Sequence, residues 1–309
     1  MSDLRLGLVG CGRLAERGWL PAVARTAGVR LAAVADPVRS RCERLAPGIP
    51  AYESAAELIA AGAADALVLA TPASAHLADA RLAANAGLAV LVEKPPAADA
   101  AEAEALAGLQ PPPWIGFNRR FDPSLRRLLA RLPGRGRLEL VLEQHRPAGA
   151  WEAYVVSDDA LLSLGPHLID LARWLTGSEI ELVRAVEVGS DHAELELELA
   201  RGPARISCAT ARARRDRIEA RGGGGELVGR HSGGLLERAV GRLFHPGAPD
   251  SLVRLLVLEL EELAVAARGG AAPTLATAAD GLAVMRAIEA ARSSAGDQSS
   301  WQPVAAPMP

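Results

Sequence analysis

The segment Leu6-Gly7-Leu8-Val9-Gly10-Cys11-Gly12-Arg13-Leu14-Ala15 constrains the fold of this 309-residue chain more than any other stretch. An apolar run enters a Gly-x-Gly-x-x-Ala turn and leaves as a helix pattern. The first glycine permits the tight turn, the second lets a pyrophosphate approach the backbone, and the small Ala15 lets helix and strand pack closely. The helix N-terminus then offers free amide donors to an anion. Alone the motif is weak, but here it opens a strand–helix–strand unit whose second strand ends in Asp36, 24 residues past Gly12. A carboxylate there accepts bonds from the adenosine ribose diol and repels a 2′-phosphate, which favours NAD over NADP. Arg39 and Arg41 follow closely enough to soften that preference, so NADP stays open. The expected cofactor-binding residues in this stretch are Gly10, Cys11, Gly12, Arg13, Leu14, Asp36 and Arg41.

The first 120 residues continue in the same rhythm. Apolar runs at Arg5–Val9, Leu31–Ala35, Ala66–Ala70, Ala89–Val92 and Trp114–Gly116 alternate with helix patterns near Leu14–Arg25, Arg39–Ala46, Ala73–Asn85 and Asp99–Leu109. Continuously apolar strands suit a parallel sheet covered on both faces, so residues 1–120 are expected to form a doubly wound Rossmann domain. After Pro123 the texture changes. In His192–Ala200, Glu194, Glu196 and Glu198 alternate with Leu195, Leu197 and Leu199, the pattern of a strand with one face on a core. Arg137–His145, Ile180–Val188 and Arg205–Ala211 read as further strands, and Asp159–Leu175, Leu252–Arg268 and Thr277–Arg292 as helices. Residues 121–309 are therefore expected to form an α+β domain with an open, mostly antiparallel sheet, for substrate binding and oligomerisation. Arg221–Gly234 reads as a mobile loop and Gly296–Pro309 as a loosely attached tail.

Composition narrows the function. A formal charge of −3 gives no general attraction to nucleic acid or anionic membrane. No apolar run reaches the roughly 20 residues that span a bilayer, and the start lacks the pattern of a signal peptide. Cys11, Cys42 and Cys208 make no metal-like spacing, so no metal site is expected. A soluble, reduced, cytoplasmic protein is the expectation.

Of 34 basic residues, 33 are arginine and one is Lys94, in Leu91-Val92-Glu93-Lys94-Pro95-Pro96. A surface cation tolerates drift to arginine, whereas a position that must gain or lose a proton does not, because guanidinium stays charged. Lys94 follows a strand at the sheet edge where such folds bind ligands, and the next proline keeps it extended. Thr71 and Pro72 follow the Ala66–Ala70 strand at that same edge, with His76 four residues past Pro72. Thr71, Pro72, His76, Glu93 and Lys94 complete the expected cofactor-binding set.

Gly10-Cys11-Gly12, Ala35-Asp36-Pro37, Ala70-Thr71-Pro72 with His76, Val92-Glu93-Lys94-Pro95 and Asn118-Arg119-Arg120-Phe121-Asp122-Pro123 together resemble the glucose–fructose oxidoreductase / inositol dehydrogenase / MocA (Gfo/Idh/MocA) family. Leu164-Gly165-Pro166-His167-Leu168-Ile169-Asp170 and Ala279-Asp280-Gly281-Leu282 extend the likeness over nearly the whole chain. The resemblance implies a nicotinamide-dependent dehydrogenase or ketoreductase acting on CH–OH or C=O groups of a sugar-like or natural-product intermediate, usually as a homo-oligomer (dimer or tetramer). It implies that Lys94 contacts the reacting oxygen and that His167 is the acid/base. Asn118, Arg119, Trp151, Tyr154 and Ser163 are candidates for substrate binding. One departure stands out: four residues before the histidine the family commonly has aspartate, and here it is Ser163. That leaves two alternatives beside the dehydrogenase: a cofactor-binding regulator or pseudoenzyme of the same fold, and an imine or enone reductase. The open sheet carries rows of glutamate, so an interface there would need arginines such as Arg205, Arg212 or Arg214 opposite them.

Overall fold

The computed structural model describes residues 2–147, 158–233 and 250–304. The first six strands are β1 (Leu4–Val9), β2 (Val29–Ala35), β3 (Ala51–Tyr52), β4 (Ala66–Leu69), β5 (Ala89–Val92) and β6 (Trp114–Ile115). They lie in the order β6-β5-β4-β1-β2-β3 and all pair in parallel. The next six are β7 (Leu138–His145), β8 (Ile180–Val188), β9 (His192–Leu199), β10 (Gly202–Ala209), β11 (Arg215–Gly222) and β12 (Leu227–Ser232). Two short strands follow: β13 (Ala276–Thr277) pairs antiparallel with β6, and β14 (Gln302–Pro303) pairs antiparallel with β8. The second sheet runs β12-β11-β7-β10-β9-β8-β14, antiparallel except where β10 meets β7.

The chain divides into two compact units. One gathers the residues up to Phe121 with the later stretch that ends at Leu282; the other starts at Asp122 and resumes at Ala283. The helix Ser251–Ala266 thus belongs with the parallel sheet. Its Val253, Leu256, Leu260 and Leu263 are buried in one core with Leu4, Leu6, Trp19 and Val29. Residues this far apart in sequence meet only through the fold, so no composition change marks the return.

Helix starts follow their caps. Ser54 and Asp99 accept from the backbone N–H groups of Glu57 and Glu102, and Asp122 caps the helix Pro123–Arg131 with proline at its first position. The helix after the fingerprint departs from the expected regular Leu14–Arg25. Ala15–Trp19 is a π-helical turn, followed by α-helix only over Leu20–Val23. Pro21 has no amide to give the carbonyl of Arg17, so the regular ladder cannot run through this point.

Two expectations are corrected. Arg221–Gly234 is not one loop: β11 and β12 form an antiparallel hairpin, Ile218 opposite His231, and the glycines only turn it. The tail is held through Val304, because β14 adds to the edge of β8 and the N–H of Val304 donates to Glu181 at 2.9 Å. The glutamate rows are answered within the chain. Arg205 sits opposite Glu196 in the β9–β10 register, and Arg212 pairs with Glu194 at 2.9 Å.

Candidate active site

At the fingerprint turn Gly10 has φ +95° and its N–H donates to the carbonyl of Ala35 at 2.7 Å. A Cβ at Gly10 would lie 2.6 Å from the carbonyl oxygen of Ala70, whereas one at Gly12 would meet nothing within 4 Å. The first glycine is thus demanded by the protein itself, and the second leaves open space on the side where a pyrophosphate is expected. Asp36 is nearly buried at the end of β2, and its Oδ2 accepts from the Cys11 N–H at 2.9 Å. Its Oδ1 accepts from Val38 N–H at 2.8 Å and lies 3.6 Å from Arg41. Each carboxylate oxygen keeps a second lone pair for a ribose hydroxyl.

The Cys11 side chain turns inward, its Sγ 3.5 Å from that of Cys42, and burial pushes its thiol pKa up. The Cys11 thiol is therefore turned away from a ligand and its N–H holds Asp36, while Leu14 packs against the core. Thr71 Oγ1 and Arg13 Nε are buried without a hydrogen-bond partner among the described residues, donors that suit an anionic ligand. Pro72 precedes the helix Ala73–Asn85. His76 is buried, with Nε2 2.9 Å from the Thr71 carbonyl and Nδ1 3.1 Å from that of Pro95. Burial holds its pKa below the ordinary histidine value. It ties together the loops after β4 and β5.

Lys94 is half-buried just past β5. Its backbone N–H donates to Glu93 Oε2 at 3.1 Å, and Trp19 Nε1–H donates to Glu93 Oε1 at 3.0 Å. Burial pushes the Glu93 carboxyl up to about 7; the charge and N–H of Lys94 and the Trp19 N–H oppose this. A Cβ on Gly116 would lie 3.3 Å from the Glu93 carboxyl carbon, so only glycine leaves that carboxyl its full room. Nearby in the chain, Asn118, Arg119 and Arg120 are buried on one 3-10 turn, and Arg120 lies 3.3 Å from Asp280.

Two parts of this unit escaped the sequence reading. Trp19 carries no local mark. Glu259 does carry one: it falls on the apolar stripe of its helix, three residues after Leu256. It is wholly buried and neither oxygen has a hydrogen-bond partner among the described residues. Burial raises its pKa well above the usual range, Glu93 and Glu262 add to this, and Arg120 opposes it. An unpartnered buried carboxyl costs stability, so Glu259→Leu is expected to stabilise the protein by about 1–3 kcal/mol. The sign of the pH dependence follows. A carboxyl pKa raised on folding means the folded state binds the extra proton, so its penalty grows as pH rises above about 4.5, the unfolded value. The gain in denaturant midpoint should therefore be larger at pH 8 than at about pH 5. An equal or smaller gain at pH 8 would show that Glu259 is not a buried acid.

In the other unit, His167 lies on the helix Ala160–Thr176 and is 8% exposed. Ser163 sits one turn earlier, and its N–H bonds the carbonyl of Asp159. Asp159 is that helix's cap, accepting from Leu162 N–H at 2.7 Å and from Arg292 at 2.9 Å. Asp170 is wholly buried. Trp151 and Tyr154 lie outside the described residues. Among the described residues no group of three His, Cys, Asp or Glu side chains could hold a metal, and no helix is long and apolar enough to cross a membrane.

The family model described as "Oxidoreductase family, NAD-binding Rossmann fold" matches residues 4–110. The rhizopine catabolism protein MocA of Rhizobium meliloti is 33% identical over 94% of this chain and 95% of its own length. The chain belongs to the Gfo/Idh/MocA family. As a member it carries an NAD-binding Rossmann fold, and its fingerprint turn, Asp36 and the open side of Gly12 fit that cofactor. Inositol 2-dehydrogenase 4 of Saccharopolyspora erythraea is 36% identical over 59% of this chain and 56% of its own. Among solved structures, scyllo-inositol dehydrogenase from Lactobacillus casei with bound NAD(H) and scyllo-inositol superposes with TM-score 0.81 at 20% identity, covering 99% of this chain and 100% of that one. At that identity the likeness establishes the two-sheet family fold.

Proposed function

We propose that this Gfo/Idh/MocA protein is an NAD-dependent dehydrogenase or ketoreductase for the CH–OH or C=O group of a small cyclitol-like or sugar-like polyol. The observation that carries the reading is Lys94: the one lysine of the chain, fixed by Glu93 at the carboxyl edge of the NAD-binding sheet. The names of the relatives, MocA and inositol 2-dehydrogenase, support the substrate class. When bound, NAD takes up or gives the hydride.

The protein's own groups do the rest. Asp36 holds the adenosine end, and the turn at Gly10–Gly12 gives backbone room for the pyrophosphate. The Lys94 ammonium stabilises negative charge on the substrate oxygen. His167 holds the proton that this oxygen loses or gains, a task suited to a group that titrates near neutrality. Asn118, Arg119 and Ser163 bind the remaining hydroxyls. The unit built on the parallel sheet binds cofactor and the unit built on the open sheet contributes to substrate binding, in a homo-oligomer.

The test is titration with NADH and with NADPH, followed by fluorescence, then assay against a panel of inositols, sugars and their keto forms. Tighter binding of NADH and turnover of a cyclitol or sugar are expected; binding of neither cofactor at millimolar concentration would sink the proposal. Ser163 motivates one second reading, a regulator that keeps NAD but has lost turnover. Saturable NADH binding with no turnover across the panel would favour it.

A further inference from the structure

Glu93 stands between two elements that must stay in register, the helix that follows the fingerprint turn and the loop that carries Lys94. One carboxylate oxygen accepts the indole N–H of Trp19, the last residue of the π-helical turn, and the other accepts the backbone N–H of Lys94. A regular α-helix advances about 100° per residue, whereas a π turn is wider, so the irregular turn sets where Trp19 points. Gly18 allows this close packing: a Cβ there would lie 2.8 Å from Leu256 Cδ1. Trp19 itself is wholly buried, and an indole N–H in such a place needs an acceptor.

We propose that Trp19 is a positioning residue for the reaction: its indole N–H holds the Glu93 carboxylate that fixes the backbone of Lys94. This rests on the reading of Lys94 as the reactive residue. The surroundings explain why the indole matters. The Ser251–Ala266 helix presents Glu259, a second carboxyl without a hydrogen-bond partner among the described residues, and Glu262, which accepts from the N–H groups of Thr274 and Leu275. The Asn118–Phe121 turn presents Arg120, which lies against Asp280. Burial opposes charge on Glu93, and Lys94 and the Trp19 N–H favour it; Glu93 in turn opposes charge on Glu259. Hydrogen bonds to a charged group are among the stronger ones, so losing the indole should move Glu93 toward its protonated form.

Protein labelled with [15N]tryptophan tests the link without any substrate. The Trp19 indole resonance, identified by its absence in Trp19→Phe, is expected to shift with pH about a midpoint near 7 and to stop titrating in Glu93→Gln. Turnover then tests the role. Trp19→Phe should keep NADH affinity and move the acid limb of kcat upward by about one pH unit, a loss that approaches about tenfold well below pH 7 and shrinks as pH rises. A deficit from packing alone would not recover at alkaline pH. In a Glu93→Gln background the further change to Phe should have no such pH-dependent effect. An indole resonance that does not titrate overturns the Trp19–Glu93 link. An indole that titrates while Trp19→Phe keeps a constant ratio to wild type at every pH overturns the positioning role. If wild-type protein turns over nothing, the Lys94 reading falls and the positioning role with it, and the indole titration decides the link by itself. Should Trp19→Phe fold poorly, Glu93→Gln alone is expected to remove the acid limb that belongs to Glu93, and an unchanged limb there counts against the proposal.

Discussion

Lys94→Arg is expected to lower turnover at least about a hundredfold while the fold and NADH affinity stay as in wild type, the low end for losing a positioned donor to a developing oxyanion. Arginine keeps the charge and nearly the reach of lysine, so the substitution separates cation from chemistry. A guanidinium is planar, spreads its charge over three nitrogens and does not give up a proton in water. A group that only neutralises surface potential works as well with either side chain, as the 33 arginines elsewhere in the chain imply. One that must present a compact ammonium to a developing alkoxide does not. The backbone hydrogen bond from Lys94 to Glu93 survives the change, since it involves no side-chain atom of residue 94. The readout is kcat and KM with the best polyol, beside NADH titration and a melting curve. Wild-type turnover in Lys94→Arg would make Lys94 a residual surface cation. Collapse of NADH binding would make it a cofactor-holding residue.

What could be read from sequence tracks how local the cause is. The β1 fingerprint, Asp36 at the end of β2 and the Glu93-Lys94 loop after β5 all follow from short strings whose chemistry is complete within a few residues. The alternation in β9 was equally plain, because a strand with one buried face writes its environment into every second residue. β12 was hidden, since Leu227–Ser232 carries a glycine and an exposed arginine and pairs at the sheet edge. The place of Ser251–Ala266 beside β1 was hidden as well, since an apolar stripe says that a helix is covered but not by what. Trp19 and Glu259 belong to this second kind. Each acquires meaning only from Glu93, which lies 74 residues after Trp19 and far before Glu259. Even so, a glutamate on an apolar stripe is a local conflict, and such conflicts are where functional sites are found.

The two fingerprint glycines should fail in different ways. Gly10→Ala is expected to unfold or severely destabilise the nucleotide-binding unit. Its new Cβ would sit 2.6 Å from the carbonyl oxygen, 2.7 Å from the carbonyl carbon of Ala70 and 2.9 Å from the Thr71 nitrogen. These are backbone atoms of the strand end beside β1, so nothing flexible can move aside. The φ of +95° adds a penalty of order 1–3 kcal/mol for any side chain. Relief requires β1 and β4 to separate at their carboxyl ends, where the cofactor edge is built. Gly12→Ala meets no atom within 4 Å and should leave the melting temperature within a few degrees of wild type. It should still weaken NADH binding by an order of magnitude or more, because the methyl group occupies the space through which a pyrophosphate approaches the backbone. Melting curves and NADH titrations on the two variants separate the roles. A stable Gly10→Ala that binds NADH would show that the strand ends can part at little cost. Undiminished NADH affinity in Gly12→Ala would mean that the pyrophosphate does not lie over this turn.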